Sequence, residues 1–165
     1  MLGINRRGLA ALTSVAILAT ALALAAAAWA GKPVVHSVTA GGPDLCSGIT
    51  GKPGCNGNYS IVAKQFANGK VTGQYTDQFG HGNGGFHARV DCLSVVGNTA
   101  WIGGVITSGT YGAIGQRIVT RVQDNGTSAN DPPDKISYSY LSNVSCTTHF
   151  LTPLFDTPQG QVKVR

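Results

Sequence analysis

The sequence predicts an all-β domain: an antiparallel meander of six or seven strands, barrel-like or folded as a sandwich, behind an N-terminal signal helix. Three observations carry that reading. Beyond residue 30 no apolar run keeps a helical period, whereas short strand-like runs recur between Gly, Asn, Asp and Pro. All seven acidic residues are Asp and none is Glu, so a strong helix former is missing where a poor one is present. Of the 23 glycines, 21 lie after residue 30, in the part that needs tight turns.

Residues 1–30 carry an export pattern. Arg6 and Arg7 give a positive start, Leu9 to Ala27 runs without a charge, and Ala28-Trp29-Ala30 places small residues at both positions a signal peptidase reads. That order predicts a signal peptide cleaved after Ala30. The apolar run is about long enough for a membrane anchor, since roughly 18–20 residues suffice. About half of it is alanine, however, which favours cleavage over retention. Residues 31–57 are rich in Gly and Pro and hold Cys46 and Cys55, so they read as a strand-poor arm.

The β-domain is then expected over 58–165. Tyr59 to Phe66 and Val71 to Phe79 alternate on either side of Asn68-Gly69, a strong hairpin signal. Gly80 to Gly85 is a glycine-rich loop. Phe86 to Val96 and Thr99 to Thr107 flank the tight turn Gly97-Asn98. Gln116 to Gln123 precedes the turn Asp124-Asn125-Gly126, and Lys135 to Leu141 follows Asp131-Pro132-Pro133-Asp134. A short last strand is expected at Gln161 to Arg165.

Two motifs in this order carry a resemblance. The first is Val90-Asp91-Cys92-Leu93-Ser94-Val95-Val96-Gly97-Asn98-Thr99-Ala100 with Ile102-Gly103-Gly104-Val105-Ile106. The second joins Val122-Gln123-Asp124-Asn125-Gly126 to Pro132-Pro133-Asp134-Lys135-Ile136-Ser137. Over roughly residues 58–165 the chain resembles a family of small secreted bacterial all-β proteins of uncharacterised function. The resemblance implies an exported bacterial β-domain and brings no catalytic residue with it.

Composition narrows the function classes. The 135 residues after Ala30 make one domain by size. Ten Lys and Arg (12 less Arg6 and Arg7) against seven Asp leave +3, mild for a nucleic-acid partner that asks for a dense basic stripe. The lack of Glu removes the commonest glycosidase acid and excludes an HExxH zinc site. No GxSxG elbow, SxxK, Walker loop or dinucleotide fingerprint occurs. No catalytic residue, metal site or cofactor is therefore assigned.

Four cysteines allow three pairings. Cys46 and Cys55 enclose a short Gly/Pro loop that reads as a local staple, and Cys92 would then pair with Cys146. The spacings contain no CxxC, which argues against zinc.

The best ligand-binding candidate lies on the strand at 86–92. By the two-residue period, His87, Arg89 and Asp91 share one face, while Phe86, Ala88, Val90 and Cys92 share the other. Arg117 and Arg121 share a face with Val119 on another strand. If the two faces meet, a small basic patch results, suited to phosphate, sulfate or an acidic polysaccharide. The plainer alternative is a solvated strand side with cross-strand charge pairs. Leu93, Val95 and Val96 break the alternation and predict a bulge near Cys92. His81, His87 and Asp77 invite a metal reading, but a glycine-rich loop holds ligands poorly. Asp124, Asn125, Asn130, Asp131 and Asp134 invite a calcium reading, but lack the EF-hand order and read better as turn formers. Tyr75, Trp101, Tyr111, Tyr138 and Tyr140 are candidates for a sugar-binding surface, with Tyr138 and Tyr140 better placed as core.

The sequence thus predicts a secreted, disulfide-stapled β-domain acting as a binding or structural module. It is expected to be a monomer that meets an extracellular ligand or surface component, without nucleic acid or, once cleaved, a membrane. Two alternatives stand beside it. One is a small hydrolase or isomerase using the polar face of residues 86–92; the other is a barrel carrying a small apolar ligand.

Overall fold

Alternation of apolar and polar side chains builds one curled sheet. A computed structural model describes residues 32–44, 57–80, 84–128, 130–157 and 159–165. The expected signal segment and the Cys46–Cys55 staple lie outside these residues. In chain order the strands are β1 (Val34–Asp44), β2 (Gly57–Phe66), β3 (Val71–Gln78), β4 (Gly85–Val96), β5 (Thr99–Gly109) and β6 (Arg117–Gln123). Four short strands follow: β7 (Lys135–Ile136), β8 (Tyr140–Leu141), β9 (Phe155–Asp156) and β10 (Gln161–Val164). All pairs are antiparallel, in the order β10-β1-β2-β3-β4-β5-β6-β7-β9, with β8 also on β6. The sheet curls into a half-barrel whose interior holds one apolar cluster, including Val38, Ile61, Tyr75, Phe86, Ile102, Ile118 and Val162.

The hairpins form where the turn chemistry demands them. Gly69 (φ 80°) and Gly97 (φ 58°) supply the left-handed backbone that closes β2–β3 and β4–β5. The expected bulge is present: the β4–β5 register shifts between Val90 and Cys92.

Three expectations are corrected. Residues 34–44 form a long strand where a strand-poor arm was expected. Val38 and Ala40 enter the core while Thr39 stays exposed, and the following Gly41-Gly42-Pro43 had concealed that alternation. The strand expected over 135–141 is broken in two. The Ser137 hydroxyl accepts from the Arg121 amide at 2.9 Å, replacing a ladder carbonyl, so the chain leaves β6 between β7 and β8. With β1, this break and the two-residue β9, the described sheet has ten strands, not six or seven.

The curled edges meet without a ladder. Arg165 and Ser37 exchange backbone bonds, so Val162 and Val164 direct their N–H groups away from β1. Asp134 Oδ2 accepts from Val162 at 2.6 Å, and Asp124 Oδ2 accepts from Val164 at 2.9 Å. Asp134 Oδ1 takes the Asn125 amide at 2.7 Å, and its carbonyl takes the Thr157 amide at 2.8 Å. Two carboxylates therefore satisfy edge donors that would otherwise be open to a foreign strand.

A strap crosses the outer face of β4, β5 and β6. It begins at the 3-10 turn Cys146–Thr148, where the Cys92–Cys146 disulfide ties it to β4. Trp101 Nε1 donates to the Phe150 carbonyl at 2.9 Å, and its ring lies 4.5 Å from that of His149. Trp101 and Val119, which point outward, are thereby buried, and β5 is buried on both faces from Ala100 to Gly104.

Candidate functional site

The outer face left uncovered by the strap is mostly polar, with Val62 and Val105 as apolar members of its central row. Strand pairing aligns its residues in rows: Gln74 of β3 faces Arg89 of β4, which faces Val105 of β5, which faces Arg117 of β6. One step along, Thr76 faces His87. Since Phe86, Ala88 and Val90 enter the core, His87 and Arg89 must point outward, as the two-residue period predicts. Both are exposed.

Between β3, β4 and β5 these side chains line an open groove of about 660 Å³. Thr72, Gln74 and Thr76 form one wall, with His87, Arg89 and Thr107 opposite and Lys70 at the hairpin end. Thr76 Oγ1 lies 2.9 Å from His87 Nδ1, which fixes the imidazole plane. Among the described residues Arg89 makes no ion pair. Its fork of donors stands over a groove of hydroxyl and amide groups, an arrangement that receives carboxylate, sulfate or phosphate.

The structure brings together only part of the expected set. Asp91 and Arg117 form a bidentate pair, with Nη2 to Oδ1 at 2.7 Å and Nη1 to Oδ2 at 3.1 Å. The hydrogen bonds that Arg117 donates to Asp91 raise its pKa above its ordinary value against the opposing effect of burial. The pair lies over Gly103, where a Cβ would sit 3.4 Å from Arg117 Nη2 and 3.2 Å from Cys92 Cβ. Asp91 thus spends its charge on Arg117 and leaves the groove to Arg89 and His87. Arg121 sits under the strap, its Nη2 donating to the Thr152 carbonyl, and joins no groove. It anchors chain, and a free ligand does not meet it there.

The metal reading is overturned for the described residues. Asp77 enters the core at 6% exposure while His87 faces outward, so they occupy opposite faces of the sheet. His81 lies outside the described residues. The acidic residues of the calcium reading instead accept backbone amides: Asp124 from Gly126 and Val164, Asp131 from Ser128, and Asp134 from Asn125 and Val162.

Sequence reasoning missed a second polar cluster, inside the half-barrel. Tyr75 Oη donates to Asp77 Oδ2 at 3.1 Å, and Ser139 Oγ donates to the same oxygen at 2.9 Å. Tyr111 Oη donates to the Ser139 carbonyl at 2.9 Å. Burial raises the Tyr111 pKa above 10.0, and the nearby Asp77 and Tyr140 add to the rise. This network pins the segment between β7 and β8 to β3, and it explains where Tyr75 and Tyr111 go: Tyr75 into the core and Tyr111 half-buried against it, not onto a sugar-binding surface. Its signal was Asp77 on the apolar face of a strand whose inward neighbour is Tyr75. No protein-family model, curated protein or solved structure matches this chain.

Proposed function

We propose that the domain is an exported binding module whose groove between β3, β4 and β5 takes an anionic ligand. The observation that carries this is Arg89, exposed and without an ion pair among the described residues, beside the oriented His87 imidazole. Arg89 supplies a bidentate contact, and Gln74, Thr72 and Thr107 supply hydrogen bonds to hydroxyl or amide groups. The site is wide and open, and holds no carboxylate to orient the pair that the His87 imidazole makes with the Thr76 hydroxyl. That favours binding over hydrolysis or isomerisation. The interior is filled by packed side chains such as Ile61, Phe86, Ile102 and Val162, which favours a module over a carrier of apolar ligands. Export through residues 1–30 is supported by their charge, apolar run and small-residue site, and by the Cys92–Cys146 disulfide, a bond typical of oxidising compartments.

An array of acidic and neutral glycans and small anions tests the reading. Wild type is expected to retain acidic members and Arg89→Gln to lose them at unchanged stability. Retention of neutral members alone, or equal retention by Arg89→Gln, would refute the assignment. A broad hydrolase screen of wild type and His87→Ala checks the enzyme alternative. Activity lost in the variant would displace the binding reading.

A further inference from the structure

The rows of residues that line the groove continue past β3. Across the sheet, the row containing Arg89 continues through Gln74, Val62 of β2 and Thr39 of β1 to Lys163 of β10. The neighbouring row runs from Thr72 through Lys64 and Ser37 to Arg165. Lys163 and Arg165 line a second open groove, of about 450 Å³, with Ser37, Thr39 and Ser60. Lys64 stands exposed between the two grooves.

Four interstrand steps separate Arg89 from Lys163, roughly 19 Å along the curved face at about 4.8 Å per step. No described acidic side chain faces outward along that path. Asp77, the acid of β3, turns into the core, and Asp91 is taken by Arg117. Two hydroxyl-lined grooves joined by a lysine, with cations at both ends, match a linear ligand that carries repeated negative charge and repeated hydroxyl groups. Neither groove is lined by Phe, Tyr or Trp, so bases of a single-stranded nucleic acid find no stacking platform.

We infer that this outer face, from β10 to β4, is one continuous site for an extended acidic polysaccharide, with Arg89 and His87 holding one end and Lys163 and Arg165 the other. The inference rests on the binding reading of the β3–β5 groove and extends it to a ligand class and a length.

Galacturonate oligomers of graded length, titrated against the folded domain, provide the test. Affinity is expected to rise with length until the oligomer spans both grooves. The double variant Lys163→Gln/Arg165→Gln is expected to lose about tenfold for the long oligomer, as two exposed ion contacts warrant, and nothing for the shortest. Arg89→Gln is expected to weaken both. A length-independent affinity, or an unchanged long-oligomer affinity in the double variant, would overturn the extended site and leave the groove standing. If wild type binds no acidic oligomer, the extended site falls, and the groove reading falls with it when the array shows no retention of small anions either. Equal or tighter binding of a single-stranded DNA of matched charge would overturn the polysaccharide assignment in favour of a nucleic acid.

Discussion

Replacing Asp134 by Asn tests how the half-barrel is held closed. The side chain is 6% exposed, and each of its oxygens accepts a backbone amide: Asn125 at 2.7 Å and Val162 at 2.6 Å. Asparagine presents one carbonyl oxygen, so its amide nitrogen must face the other N–H. Hydrogen bonds to a charged group contribute roughly 1.5–3 kcal/mol each, and a buried donor left unpaired costs about 1–3 kcal/mol. Asparagine keeps one neutral bond, which leaves an expected loss of about 3 kcal/mol. For a domain of this size that is a fall of about 10 °C in Tm. Urea unfolding followed by circular dichroism measures it, with an unchanged denaturant slope showing that the unfolded state is unaltered. Asp131→Asn is the control, because Asp131 is exposed and accepts the Ser128 amide at 2.8 Å. It should stay within about 0.5 kcal/mol of wild type. Hydrogen exchange adds a local signature, since the Val162 amide should lose protection in Asp134→Asn. Equal stabilities of Asp134→Asn and Asp131→Asn would refute the carboxylate seam.

Other expectations follow from the same geometry. The folded state holds Tyr111 protonated above the ordinary tyrosine value of 10.0, so its contribution is complete below that value and disappears as pH rises through the folded pKa. Tyr111→Phe should therefore flatten the alkaline fall in stability while costing about 1 kcal/mol near neutrality through the lost bond to Ser139. Unfolding measured across the alkaline range decides it, and an unchanged slope would contradict the burial argument. The Cys92–Cys146 disulfide closes a loop with a sequence separation of 54. Replacing both cysteines by serine should cost about 4 kcal/mol and expose the strap to proteolysis near Phe150 before the sheet opens. Cleavage first within β2 or β3 would show that the strap does not depend on the disulfide.

The strands from β2 to β6 were legible because each hairpin announces itself twice, in the alternation of its strands and in an Asn or Gly turn. The β1 strand was not, because Gly41-Gly42-Pro43 reads as loop when its partners are unknown. Gly42 is glycine for a reason only the fold reveals: a Cβ there would lie 2.5 Å from Gly160 Cα. The face of His87 and Arg89 followed from a period of two. What removed Asp91 and Arg121 from it did not, since one depends on an ion pair across β5 and the other on a strap that returns 31 residues later. Lys163 and Arg165 escaped notice because β10 pairs with β1, at the other end of the domain. Asp124 and Asp134 look like ordinary turn residues locally, and their second role at the seam exists only once the sheet curls.

The outer face as a ligand site is tested most directly by nuclear magnetic resonance of the isotope-labelled domain titrated with a long galacturonate oligomer. Saturable shifts are expected at Thr76, His87 and Arg89 and onward through Lys64 and Thr39 to Lys163, with Trp101 and the strap unmoved. Shifts centred on the strap, or none at all on β3 and β4, would contradict it.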